Sequence, residues 1–323
     1  IQFMQKEMNI PLTIQELGTI APEEYFAAID KMADAALADA CTVNNPRVPT
    51  KEDIIKIYKE YKLLDKTKKV IFDFSSAKFI YSNFTALLGS LIDDCESYEI
   101  VQPKKEDVKT VLSKNNFFPQ YTSLPKLNDS SQSVIEYEKF ELNDLDKQNI
   151  FFDRLIADEL LKKKGVTNLS EKVLKIVSQN IIELFDNARE HSKSTKGIYI
   201  AGQFFPKKHK FDFTIVDTGV GIVKNVNLFL TEKLKSGEAI FWAIQKQHST
   251  RVGEPGGLGL ALLKELIMKS NGKIEIISSD GYYFIKNQKE SYENLDMSFE
   301  GTLINIEFNI DGKTYFLKDE DKK

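Results

Sequence analysis

The stretch Asn180–Ser192, "NIIELFDNAREHS", decides how the rest of the chain is read. Its apolar residues recur at helical spacing, and residues four apart on a helix share a face. Glu183, Asn187 and His191 therefore line up along one stripe. The plain reading is the wet side of a surface helix. The other is a site: an amide oxygen such as that of Asn187 suits a hard cation, which keeps most of its waters when it also binds phosphates. Glu183, one turn earlier, is placed to orient or deprotonate a nucleophile.

Two later segments raise the second reading. In "IVDTGVGI", Ile215–Ile222, a strand runs into Asp217, followed by Gly219 and Gly221. Asp217 can accept from an exocyclic amine of the kind adenine carries, and the glycines permit close backbone approach. In "STRVGEPGGLGLALLKEL", Ser249–Leu266, a loop with Gly253, Gly256, Gly257 and Gly259 leads into a helix that starts with Leu260 and Leu262. Free N–H groups at such a start bind phosphate oxygens. Taken singly, the first is a turn and the second a connection. The loop lacks the Gly-Lys-Ser/Thr ending of a Walker A motif and follows no convincing strand of Rossmann type.

Working outward, residues 21–40 read as a helix, and Thr50 caps "KEDIIKIYKEYKLL". "KVIFDF" (69–74) and "YEIVQ" are strand candidates, with helices at "NFTALLGSLIDDC" and "KKEDVKTVLSKNNF". This alternation predicts a small α/β domain over 1–116. Residues 117–145, rich in Asn, Ser and Pro, read as a connection with one strand at "SVIEYEKF". From 146 to 323 the pattern predicts helices at 148–163 and 170–192, a hairpin of strands at 197–204 and 210–217, and helices at "GEAIFWAIQKQ" and "GLALLKELIMKS". The remaining strands are "KIEIISS", "YYFIKN", "TLINIEFNI" and "KTYFLK". That is a two-layer α/β sandwich with helices on one face of a mostly antiparallel sheet.

The order of the three segments resembles the GHKL, or Bergerat-fold, ATPase superfamily, the group of histidine kinases, gyrase B, Hsp90 and MutL. "ELFDNAREH" is similar to its N box, "DTGVG" to its G1 box, "GGLGLALLKEL" to its G2 box and "GTLINIEF" to its last motif. The resemblance implies ATP and Mg²⁺ as cofactors. Asn187 would hold the metal, Glu183 would be catalytic, and His191 would take the trailing basic position. Asp217 and Thr302 would read adenine, with Gly219 and Gly221 beside them. A lid over about 223–256 would bring Lys224, Ser249, Thr250 and Arg251 to the phosphates, and Gly256, Gly257, Gly259 and Leu260 would close the loop.

"VIFDFSSAKFIYSNFTALLGSLI" resembles, in turn, the STAS domain of anti-sigma-factor antagonists. Asp73, Ser75, Phe79, Ile80 and Ser82 match its pattern, but Asn83 stands where the phosphorylated serine belongs. Together the two resemblances imply a protein kinase of the anti-sigma-factor serine kinase type. Two alternatives stay open: an ATPase whose nucleotide cycle drives a conformational switch, and a nucleotide-binding adaptor without turnover.

Bulk properties narrow the field. Across 323 residues, 44 basic and 48 acidic side chains give a net charge of -4, which argues against nucleic acid as the general partner. Two cysteines make no disulfide framework, no apolar run is long enough to span a bilayer, and the start does not read as a signal peptide. A cytoplasmic signalling protein is expected, acting on a protein partner contacted through the STAS-like region, with dimerisation left open. The three histidines, His191, His209 and His248, head no separate helix, so autophosphorylation on a standard histidine is not expected.

Overall fold

Five strands, β3 (Val134–Phe140), β4 (Ile198–Phe205), β5 (Lys210–Asp217), β6 (Lys273–Lys286) and β7 (Lys289–Asn309), form an antiparallel sheet in the order β3-β4-β5-β7-β6. The computed structural model describes residues 51–131, 133–156, 171–205, 208, 210–245 and 259–309. The helix expected at 21–40 and the strand at "KTYFLK" lie outside the described residues.

Strand alternation gives this sheet two different faces. On one, Ile198, Ile200, Phe211, Phe213, Ile215, Ile274, Ile276, Ile304 and Ile306 are buried under helices. These are α5 (Leu145–Ile156), α6 (Glu171–His191), α7 (Ile222–Phe229), α8 (Ser236–Ala243) and α9 (Gly259–Lys269). α6 turns Ile181, Leu184 and Phe185 into the core, which leaves Glu183 and Asn187 only partly covered. This is the sandwich expected from the sequence. Two details differ from expectation. α7 and α8 fall where a lid was read, and "KIEIISS" and "YYFIKN" belong to one strand, β6. Beyond Ser278 that strand shifts register against β7, and the two run on as a long hairpin.

The opposite face is also covered. Tyr199, Ala201, Val216, Ile277, Phe299 and Leu303 share a core with α1 (Lys51–Lys62), α2 (Thr85–Ile92), α3 (Glu106–Lys114) and α4 (Phe117–Tyr121). Every residue of α2, "TALLGSLI", is buried. A helix that is apolar all round is stable only when enclosed on all sides. β1 (Lys69–Asp73) and β2 (Ser97–Val101) pair in parallel as a separate two-stranded sheet.

The expected STAS-like fold is thus corrected. A two-stranded sheet cannot close a core by itself, and the helices around it complete theirs against the back of the large sheet. The Ser82–Phe84 turn, where a phosphorylation site was sought, is sealed into that contact. Ser82 is fully buried, and its N–H donates to Gln203 Oε1 at 2.8 Å. Asn83 Nδ2 donates to Thr214 Oγ1 at 3.1 Å and to Asn305 Oδ1 at 3.0 Å. Asn83 is there to satisfy a buried polar seam on the sheet.

Charge follows the same seam outward. α1 runs along β7 with Lys51 paired to Glu293, Lys59 to Asp296 at 2.5 Å and Lys62 to Glu300 at 2.5 Å. Such solvent-exposed pairs fix alignment more than they stabilise. Because Leu87 of α2 is fully buried against the back face, Leu87→Ala should cost about 2–5 kcal/mol. Urea unfolding followed by circular dichroism checks this.

Candidate functional site

The site is built where β5 ends. Asp217 is buried, at 4% exposure, and lies opposite Thr302 of β7, which in turn lies opposite Ser278 of β6. One polar row therefore crosses three strands at one end of the sheet. Gly219 N donates to Asp217 Oδ1 at 2.9 Å. Burial raises the Asp217 carboxyl to about 7, while hydrogen bonds from the Gly219 N–H and from the hydroxyl and N–H of Thr302 pull the other way.

The glycines are required by chain-to-chain contact. A Cβ on Gly219 would fall 1.9 Å from Ser192 O, in the loop that leaves α6. Gly221 has φ +80, and a Cβ there would lie 2.6 Å from both Gly301 O and Ser278 Oγ. Gly301, with φ +91, would meet Asp217 O at 2.0 Å. The turn after Asp217 is thereby wedged between the end of α6 and the strand that carries Thr302.

Hydrogen bonds lock this junction. Val220 N donates to Ser192 O at 2.5 Å, and Asn225 Nδ2 donates to His191 O at 3.0 Å. Ser194 Oγ and Thr218 Oγ1 share a hydrogen bond at 3.1 Å. The end of the stripe of Glu183, Asn187 and His191 is thus bonded to the Asp217 turn and the start of α7. Lys224 is exposed on α7. Gly259 and Leu260 open α9, which packs against α6. Ser249, Thr250, Arg251, Gly256 and Gly257 lie outside the described residues. Among the described residues no cluster of three or more His, Cys, Asp or Glu side chains has the makings of a metal centre. The sequence reading missed Ser278, Ser192, Ser194 and Asn225, which carry the junction.

Comparison with known proteins agrees with this geometry for the C-terminal part. Residues 173–299 match the family model of the histidine kinase-, DNA gyrase B-, and HSP90-like ATPases. That part of the chain is similar to the GHKL-type ATPase domains, a family whose members generally bind ATP with Mg²⁺. The match stops short of Gly301 and Thr302, whose place in the site rests on the register described above. The deep, glycine-walled carboxylate at Asp217 and the amide on α6 fit such a ligand.

The N-terminal part agrees with something else. Residues 1–61 match the C-terminal model of the Fe-containing alcohol dehydrogenase family. An aldehyde-alcohol dehydrogenase of Clostridium acetobutylicum is 34% identical over 58 residues, which is 18% of this chain and 7% of that protein. An NADPH-dependent butanol dehydrogenase of Clostridium saccharobutylicum is 36% identical over 58 residues, 18% of this chain and 15% of that protein. These matches replace the STAS-like assignment of the N-terminal region. The chain spans only a small share of either relative. No helix among the described residues is long and apolar enough to cross a membrane.

A second buried acid makes stability depend on pH. Asp212 is buried on the back face, opposite Glu307 in the register, and one of its oxygens lacks a hydrogen-bond partner. Burial raises its carboxyl to about 8. Glu307 and Glu275 add to the rise, while Lys210 and Lys273 oppose it. For Asp212 and Asp217 alike, the folded state holds a proton that the unfolded state releases near the ordinary carboxylate range. Stability is therefore lost as pH rises from that range up to about 7 for Asp217 and about 8 for Asp212. Urea midpoints measured from pH 5 to 8 should fall, and Asp212→Asn should flatten the decline. Gly219→Ala should displace the turn and abolish nucleotide binding, checked by calorimetric titration with Mg²⁺ and ATP.

Proposed function

We propose that this chain is an ATP-driven conformational switch. ATP sits between α6 and the Asp217 turn and is hydrolysed slowly, and the result is passed to the layer on the back of the sheet. In this reading Asp217 and Thr302 hold the adenine, and Asn187 holds Mg²⁺. Gly219 and Gly221 shape the adenine turn, and His191 sits at the end of the phosphate-facing stripe. Lys224, Ser249, Thr250, Arg251, Gly256 and Gly257, with Gly259 and Leu260 at the start of α9, receive the phosphates. The bound metal–nucleotide supplies an activated phosphoryl group. The protein contributes positioning and neutral or cationic partners for its charge. Glu183 orients the attacking water and takes its proton.

One observation carries the switch. The loop leaving α6 is bonded on one side to the Asp217 turn, through Ser192–Val220 and Ser194–Thr218. On its other side, Lys196 is paired with Asp94 at the end of α2, and Tyr199 OH donates to Asp93 Oδ2 at 3.0 Å. Any shift of the turn on binding or hydrolysis is therefore felt by the back layer. The kinase reading is set aside. It depended on a STAS-like partner region, and the serine at its acceptor turn, Ser82, is fully buried.

Incubation with labelled ATP and Mg²⁺ tests the proposal. Released phosphate is the expected product, and label retained on the protein itself or on an added protein would overturn the reading. Glu183→Ala should bind ATP as the parent does, while phosphate release falls about 100-fold or more. Asp217→Asn should lose ATP binding. In the parent, ATP affinity should rise as pH increases through about 7, since the ionised carboxylate is the better acceptor for an amine.

A further inference from the structure

Ser278 belongs to none of the motifs read from the sequence, yet it is fully buried in the middle of the adenine end of the site. Its hydroxyl donates to Gly301 O at 2.8 Å and accepts from Ile222 N–H at 3.0 Å. A serine hydroxyl has one proton to give and lone pairs to receive, so both directions are used at once. Both partners sit at positive-φ glycines: Ile222 follows Gly221, and Gly301 is one itself. They also belong to different segments. Ile222 opens α7 directly after the Asp217 turn, and Gly301 precedes Thr302. Ile222 N–H is shared with Thr302 Oγ1 at 3.3 Å, so this one amide meets two hydroxyls of the polar row.

We propose that Ser278 is the positioning residue of the adenine site, a clamp that holds the Asp217 turn and the Thr302 strand at the separation that base recognition requires. The inference rests on the ATP reading above. Alternatives to a hydroxyl are poor at this position. The methyl group of an alanine has neither a proton to donate nor a lone pair to receive, so it cannot bridge the two segments. Gly221 brings its backbone close enough for this bridge, since a Cβ there would lie 2.6 Å from both Gly301 O and Ser278 Oγ. Ser278 itself has no need to touch the nucleotide. It acts through the two segments that do.

The test compares ATP with GTP in calorimetric titrations of the full chain with Mg²⁺, using the parent, Ser278→Ala and Ser278→Cys. The thiol fills nearly the same space but is a weak donor, so it separates packing from hydrogen bonding. Both variants should bind ATP about tenfold or more weakly and lose most of the parent's preference for ATP over GTP. A merely structural role would lower the melting temperature while leaving the preference of the folded protein unchanged. Parent-like affinity and selectivity in Ser278→Cys would overturn the clamp, whether or not Ser278→Ala folds. A parent that binds neither nucleotide sinks the ATP reading instead. The clamp is then judged by hydrogen exchange at the Ile222 amide, which should be measurably faster in Ser278→Cys than in the parent, with only the longer bond to Thr302 Oγ1 intact. Equal protection in both overturns it.

Discussion

The structure turns on one constraint: a carboxylate, Asp217, is buried at the end of a strand and must be kept company by polar groups from other parts of the chain. An isolated buried acid is costly unless it is hydrogen-bonded or neutralised. Here the turn that follows supplies Gly219 N–H and the neighbouring strand supplies Thr302. Those groups reach it only because Gly219 lets the turn close on Ser192 and Gly301 lets β7 close on Asp217. The α6 helix, with Glu183 and Asn187, is fastened to the same turn by Val220 and Asn225. Fold and site are therefore one packing problem.

The back layer follows from a second imbalance. Antiparallel sheets commonly leave one face wet, but here the back face carries an apolar row, Tyr199, Val216, Leu303 and Ile277, beside a polar seam that includes Thr214, Asn305, Asp212 and Glu307. The apolar members call for a cover and the polar ones for partners. α2 and the Ser82–Phe84 turn provide both, with Asn83 and Ser82 answering Thr214, Asn305 and Gln203. The acids of that seam, Asp212, Glu275 and Glu307, are offset in part by Lys210 and Lys273, at 2.6 Å from Glu307 and 2.7 Å from Glu275 respectively. The layer is joined to the site by the Lys196–Asp94 pair and by Tyr58, whose hydroxyl accepts from Glu300 N–H at 3.0 Å, next to Gly301.

The segment resembling the alcohol dehydrogenases ends within α1, the described helix that lies along β7. In this part of the structure α1 buries Ile54, Tyr58 and Tyr61 and presents its lysines to the acids of the hairpin. Its described role is that of a strut.

Much of this was legible in the residues. Helical spacing in "NIIELFDNAREHS" placed Glu183, Asn187 and His191 on one face, alternation marked β4 and β5 as a hairpin, and the order of the motifs indicated the sandwich and its ligand class. Those signals are local, because a period of two or of 3.6 is written within a single segment. The STAS-like reading failed for the same reason. A strand, a turn and an apolar helix look alike whether they close their own core or lean on another sheet. Only the tertiary structure decided that Asp217, Thr302 and Ser278 share one row, that Gly219 is glycine because of Ser192, and that Asn83 faces a buried seam. These facts depend on cross-strand register and on contacts between segments far apart in the chain, which no local pattern encodes.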